Sequence, residues 1–182
     1  MKSVGRMTQP ELAAYVQAHL LKSGITVVLS GGAAVSIYTL NKYISPDVDL
    51  VNVYSVERKR IHAVMHAIGF HEQSRYFVHP ESPYLVEFPA GPLAIDDQVV
   101  TDFSKIKYTT GTLRVITPTD CVRDRLAAFY FWNDQQSLTQ AVMVAKTRRV
   151  NMSKIRRWSR DSDMLDKYQI FLRKLSPRST RR

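Results

Sequence analysis

Two short stretches hold residues whose types and spacing can do chemistry. The first is Leu29-Ser30-Gly31-Gly32, two glycines at the end of a short β-branched run. A strand that runs into glycines and then a helix lets the backbone come close to a ligand. It also leaves free N–H groups at the positive end of the helix dipole, which is where a phosphate is stabilised. The second stretch, Asp47-Val48-Asp49-Leu50, begins fifteen positions after Gly32. Aspartates at i and i+2 on a strand share one face, so their carboxylates stand side by side. Neighbouring carboxylates repel unless a cation sits between them, and hard oxygen donors beside a triphosphate are what Mg²⁺ requires. In a two-metal arrangement the ions align an attacking hydroxyl and stabilise a leaving pyrophosphate.

This pair of stretches resembles the signature of the nucleotidyltransferase superfamily. That signature is a Gly-Gly or Gly-Ser pair after a first strand, followed by Asp-x-Asp or Asp-x-Glu on a second. The apolar positions agree: Val27, Val28 and Leu29 precede the glycines, and Val48 and Leu50 interleave the aspartates. The resemblance is closest to the minimal nucleotidyltransferases, among which abortive-infection and toxin–antitoxin enzymes are prominent. Those carry an Arg and a Ser or Thr shortly before the first Asp. Here Ser45 fills the second place, and Lys42 is the basic residue nearest the first. The signature occupies roughly residues 25–54, and the order of elements extends the match to about residue 145.

The resemblance implies an α+β fold of the polymerase beta-like kind, a mixed sheet with flanking helices followed by a helical C-terminal part. It implies transfer of a nucleoside monophosphate from an NTP to an acceptor hydroxyl, dependent on Mg²⁺ or Mn²⁺. Ser30, Gly31 and Gly32 would hold the NTP, and Asp47 and Asp49 the metal. The family takes a third carboxylate from a later strand. Glu87 is the candidate, a lone acid in the apolar run Tyr84–Phe88, with Asp96, Asp97 and Asp102 as alternatives in a polar loop. A buried unpaired carboxylate is costly, and a metal or basic partner offsets that cost. In related enzymes the helical part helps hold the nucleotide, which makes Arg125 and Lys146 the expected triphosphate contacts.

The elements that must position these residues follow from local pattern. Thr8-Gln9-Pro10-Glu11 is a capping box that starts a helix ending at Gly24. Ile25–Ser30 is a buried strand, Ala33–Leu40 a short helix, and Asp47–Tyr54 a second strand. Ser55 is placed to cap a third helix that ends at Gly69. Phe70–His79, Tyr84–Phe88 and Leu93–Ile95 read as further strands, and Lys105–Tyr108 with Thr112–Ile116 as a hairpin. Thr117-Pro118-Thr119-Asp120 starts the helical part, with breaks near Asn133-Asp134 and Val150–Ser153. The division is therefore 1–116 for the α/β core, 117–175 for the helical region, and 176–182 for a disordered basic tail. Phe129–Trp132 reads as core, His62 and His66 as a surface pair, and Cys121 as a buried thiol.

Composition limits the partners. The 182 residues have 45% apolar and 23% charged content, enough for a real core and against general disorder. One cysteine permits no internal disulfide and fits a reducing, cytoplasmic setting. No apolar run reaches a membrane span, and no signal-peptide core follows Met1–Arg6. The net charge of +10 lies entirely in residues 146–182, which hold 13 basic and 3 acidic residues, whereas residues 1–145 hold 13 of each. A basic segment on a neutral body is the pattern of a polyanion-binding element. It points to RNA, tRNA above all, as the acceptor. Arg148, Arg149, Lys154, Arg156, Arg157 and Arg160 are the phosphate contacts expected, and Trp158 is placed to stack on a base or pack in the core. An acidic antitoxin protein would fit the same segment. The alternatives are an inactive nucleic-acid-binding module, or transfer to a protein or a small molecule such as an aminoglycoside. Small cationic drugs call for acidic pockets, and the composition is not rich in acid.

Overall fold

A computed structural model of the protein describes residues 2–54 and 56–176. The elements run α1 (Gln9–Lys22), β1 (Val27–Ser30), α2 (Gly31–Tyr38), β2 (Asp47–Asn52), α3 (Arg58–Ala67), β3 (His71–Gln73), β4 (Tyr76–Val78), β5 (Leu85–Glu87), β6 (Ala94–Ile95), β7 (Gln98–Val99), β8 (Phe103–Tyr108) and β9 (Gly111–Ile116), then α4 (Pro118–Trp132), α5 (Gln135–Thr147), α6 (Met152–Asp161) and α7 (Leu165–Leu175). Seven strands form one mixed sheet in the order β3-β4-β5-β2-β1-β9-β8, and β6 with β7 makes a separate small ribbon. The fold is thus α+β, as expected. The switch from strands to helices falls at Thr117, between β9 and α4.

The central strand pair explains the order. β1 is buried along its whole length, Val27–Ser30, because it lies inside the sheet with covering elements on both faces. β2 runs antiparallel to β1 and parallel to β5, and β1 runs parallel to β9. Helix α1 starts as expected: the Thr8 backbone N–H donates to Glu11 Oε2 at 2.8 Å, with Pro10 in the first turn. Leu12, Val16 and Leu20 then bury one stripe of the helix.

Several boundaries differ from the sequence expectation, three of them for a clear local reason. Helix α2 begins at Gly31, two residues early, with Ser30 as its N-cap. Phe70–His79 is not one strand, because Ser74 adopts a left-handed φ of 58° and folds it into the β3–β4 hairpin. The helical part has a third break at Ser162–Met164, where Asp163 is left-handed at φ 58°. The capping role expected of Ser55, and the tail from residue 177, lie outside the described residues. The N-cap of α3 is Glu57. Among the described residues no helix is long and apolar enough to cross a membrane.

The C-terminal helices are tied to the rest by buried polar groups. Asp120 and Arg123, exposed by 1% and 3%, form an ion pair at 2.9 Å on α4. Lys154 of α6 reaches the same carboxylate at 3.0 Å, and Arg123 Nη2 donates to Gln98 Oε1 of β7 at 2.5 Å. The Arg123 guanidinium lies over Trp158, 5.1 Å from the ring centroid, and Trp158 stacks on Tyr130 at 5.2 Å. Removing one partner of a buried pair leaves the other charge uncompensated, which is more costly than the pair was favourable. Asp120→Ala should therefore cost about 3–5 kcal/mol in urea unfolding, well above the effect of Asp161→Ala at the exposed Arg160 pair. Equal losses in the two variants would show that the buried network does not hold α4, α6 and β7 together.

Candidate active site

The site is built on the register of three strands. Ser30 of β1 lies opposite Asp49 of β2, and Asp49 lies opposite Glu87 of β5. One row across the sheet therefore reads Ser30, Asp49, Glu87. Asp47 stands two positions from Asp49 on the same face, while Val48 and Val86 are buried on the other. Asp47, Asp49 and Glu87, separated by up to forty residues in sequence, become near neighbours through pairing alone.

The two glycines have a use that their sequence context did not reveal. Gly31 is left-handed at φ 62°, and a Cβ there would fall 2.1 Å from Asp49 Oδ2. At Gly32 a Cβ would fall 2.7 Å from Ser45 Oγ. The space that a side chain would occupy is taken by the protein's own carboxylate and hydroxyl, so the pair draws the start of α2 onto the acidic strand. Ser45 belongs to a loop clamped by side chains. Its N–H donates to Ser36 Oγ at 3.1 Å, and the Tyr43 N–H donates to Thr39 Oγ1 at 3.3 Å. Gln9 Nε2 donates to the Ser45 carbonyl at 2.5 Å and to the Asp47 carbonyl at 3.2 Å. These residues fix the entry of β2, and hence Asp47.

An open cleft of about 430 Å³ lies against the row, lined by Ser30, Gly31, Asp49 and Val51, the loop Pro89–Ala94, and Asp124 and Arg125 of α4. Arg125 is held in place by Asp124 Oδ2, at 2.9 Å from Nε and 2.6 Å from Nη2. It acts on Asp49 through space. Burial first, and then the charges of Glu87 and Asp47, push the Asp49 carboxyl up to about 6, with Arg125 opposing them. On the far side, Arg75 Nε lies 3.5 Å from Glu87 Oε2.

No family model matches the chain, and no curated protein matches it significantly. Solved structures do match. A crystal structure of ANT(2'')-Ia in complex with adenylyl-2''-tobramycin aligns with a TM-score of 0.56 at 13% identity, over 89% of this chain and 99% of that one. A solution structure of antibiotic-resistance factor ANT(2'')-Ia aligns at a TM-score of 0.49, also at 13% identity, over 85% and 93%. The crystal structure match establishes a nucleotidyltransferase fold.

Ser30, Gly31, Asp49 and Arg125, named from the sequence, meet at the cleft, and Asp47, Gly32 and Glu87 adjoin them. Lys146 does not join them. It is exposed in the last turn of α5, outside the cleft lining. The alternatives to Glu87 do not share its strand: Asp96 and Asp97 lie between β6 and β7, and Asp102 just before β8. Asp96 instead accepts from Ser162 Oγ at 2.7 Å. Among the described residues no three His, Cys, Asp or Glu side chains converge as a preformed metal cage. The donor set still fits a divalent cation, because three hard carboxylates share one face, and the charges of Glu87 and Asp47 add to burial in pushing the Asp49 carboxyl up.

The basic segment divides. Arg148 is a structural residue: Nε donates to the Tyr38 carbonyl at 2.9 Å, which satisfies the C-terminal end of α2. Lys154 is spent on Asp120. Both residues, expected as phosphate contacts, thus have partners within the chain. Trp158 is buried at 2% exposure, so it packs rather than stacks on a base. Arg156, Arg157 and Arg160 remain exposed around one groove with Ser153 and Leu165, and Arg149 is exposed nearby. Phe129 and Tyr130 are core as expected, but Phe131 and Trp132 are not, at 41% and 76% exposure. Cys121 is buried, and burial pushes its thiol up, away from reactivity. Sequence reasoning missed Arg75, because Phe70–His79 read as one strand and hid the turn that carries it. The loop wall Pro89-Ala90-Gly91-Pro92 did carry a signal, its proline and glycine content.

The raised Asp49 carboxyl has a sign. The folded chain holds that proton more tightly than the unfolded chain does, so its contribution is full at low pH and lost as pH rises through about 6. In a chelator, Asp49→Asn should be more stable than wild type near pH 7 by on the order of 1–3 kcal/mol, with the difference vanishing near pH 4. Thermal unfolding of both proteins across that range checks this. A pH-independent difference would mean that neither burial nor the neighbouring charges raise the Asp49 carboxyl.

Proposed function

We propose that this chain is a metal-dependent nucleotidyltransferase that moves a nucleoside monophosphate from an NTP to a hydroxyl on RNA. The observation that carries the reading is the row Ser30–Asp49–Glu87, with Asp47 beside it, on a nucleotidyltransferase fold. Ser30 and the first N–H groups of α2, with Arg125 across the cleft, would hold the phosphates, which their shared cleft supports. Asp47, Asp49 and Glu87 would hold Mg²⁺ or Mn²⁺, which when bound neutralises their repulsion and stabilises charge on the leaving group. In the reaction the acceptor oxygen attacks the α-phosphorus, the bond to the β-phosphate breaks, and pyrophosphate leaves. The hydroxyl proton passes to a carboxylate, and Glu87 is the one at the outer end of the row.

The acceptor class rests on charge. The groove of Arg156, Arg157 and Arg160 supports a phosphodiester partner. The matched crystal structure holds an adenylylated tobramycin, so the drug is the control acceptor. Incubation with each labelled NTP and Mg²⁺, offered total RNA, total protein or tobramycin, should label RNA alone. Label on tobramycin would move the acceptor to a cationic small molecule and leave the transfer chemistry intact.

Asp47→Ala and Asp49→Ala should each abolish transfer while the chain stays folded, because each removes a charge and little core volume. Glu87→Gln should cut turnover severely and be neutral or stabilising in a chelator, as it relieves like-charge repulsion. Transfer retained within a few-fold in both aspartate variants would overturn the assignment.

Arg148 caps α2 and Lys154 pairs with buried Asp120, whereas the exposed Arg160–Asp161 pair is weak, so about four arginines serve phosphates. At roughly 0.7 per contact, the slope of log affinity for RNA against log salt should be about −3. Neutralising Arg156, Arg157 and Arg160 together should flatten that slope by about 2 and weaken all RNA sequences alike. NTP binding should not change. An unaltered slope would assign the groove to an acidic protein partner, an antitoxin among them.

A further inference from the structure

The row that carries the site has two unlike ends. At one end stand Ser30 and Gly31, where α2 begins. At the other, cross-strand pairing puts Tyr76 of β4 opposite Glu87, with Arg75 beside it. The left-handed Ser74 makes the turn that presents Arg75 there. The Arg75 guanidinium lies over the Tyr76 ring, 4.8 Å from its centroid, and donates to Tyr76 Oη at 2.5 Å. Its Nε is 3.5 Å from Glu87 Oε2, and 67% of the side chain remains exposed. An exposed ion pair of this kind contributes little stability, yet ordering a long side chain costs rotamer entropy. Stability alone is a poor reason for a cation aligned on the outermost carboxylate of the row.

Displacement at phosphorus places the entering and leaving oxygens in line, on opposite sides. With the triphosphate at the Ser30–Gly31 end, the entering hydroxyl comes from the Glu87 end, past Arg75. We propose that Arg75 is an acceptor-side positioning residue, which releases Glu87 when that carboxylate takes up its role and binds a backbone phosphate of the RNA acceptor. The proposal rests on the nucleotidyl-transfer reading above. A planar guanidinium suits it, because its parallel N–H groups fit two phosphate oxygens, which an ammonium cannot match. The reaction gains no atoms or protons from Arg75; the side chain exchanges a carboxylate partner for a phosphate.

The test compares wild type, Arg75→Gln and Arg75→Lys. In Arg75→Gln the KM for RNA should rise about tenfold, with the KM for NTP unchanged and kcat changed less. Arg75→Lys should recover part of the loss. Mn²⁺, followed by its own magnetic resonance signal, should bind about two- to fivefold more tightly to Arg75→Gln, since a competing cation has left Glu87. A second arm needs no turnover: anisotropy of a labelled RNA hairpin with Mn²⁺ and a non-hydrolysable NTP should show about tenfold weaker binding by Arg75→Gln. Unchanged RNA affinity overturns the proposal. If the KM for NTP then rises, Arg75 serves the triphosphate, and if nothing changes it is a surface ion pair. Should wild type transfer nothing while the anisotropy arm shows the loss, the transfer reading fails and the RNA contact of Arg75 stands.

Discussion

Repulsion among Asp47, Asp49 and Glu87 is the constraint around which the rest of the site is arranged. Strand pairing forces the three carboxylates onto one face, and burial of Asp49 weakens the solvent that would screen them. The fold answers with two cations. Arg125 faces Asp49 from α4, aimed by Asp124, and Arg75 meets Glu87 from the β3–β4 turn. Neither cation forms a tight pair with Asp49 itself, so the central carboxylate keeps an unmet demand for positive charge. That residual demand separates this cluster from a structural ion-pair network such as Asp120 with Arg123 and Lys154, where the acid is fully partnered and held below its usual range.

The same constraint explains which parts were legible in the sequence. Gly31-Gly32 and Asp47-x-Asp49 could be read because each rests on a local rule, left-handed backbone in one case and the period of a strand in the other. Glu87 was readable as an acid out of place in an apolar run. The clamp on β2 was not readable, since Gln9, Ser36 and Thr39 act across up to 38 positions through side-chain hydrogen bonds. Nothing in the local pattern distinguishes Gln9 from any other first-turn glutamine. The β3–β4 turn was missed because Ser74 enters the left-handed region with no glycine to announce it.

Charge was legible in amount and misleading in detail. The excess of residues 146–182 is real, but the structure spends part of it internally. Arg148 closes the end of α2, Lys154 neutralises Asp120, and Lys167 donates to the carbonyls of Phe129 and Tyr130 at the end of α4. A basic residue near a helix C-terminus is a structural partner as readily as a phosphate contact, because the last carbonyls have no intrahelical donors. Sequence cannot tell the two apart without knowing which helix ends lie within reach.

What separates chemistry from acceptor choice is visible in where the residues sit. Ser30, Gly31, Asp47, Asp49 and Glu87 belong to the three inner strands and to the turn between β1 and α2, and their positions follow from sheet register. The match to a solved structure at 13% identity over 89% of the chain shows that the fold itself does not depend on most of the sequence. The contacts proposed for an acceptor have no such anchor. Arg75 stands on a turn of the edge hairpin, the Pro89–Ala94 wall is a loop, and Arg156, Arg157 and Arg160 are on the exposed face of α6. The charge at those edges and loops is the physical quantity that decides whether a polyanion or a cationic small molecule is favoured there.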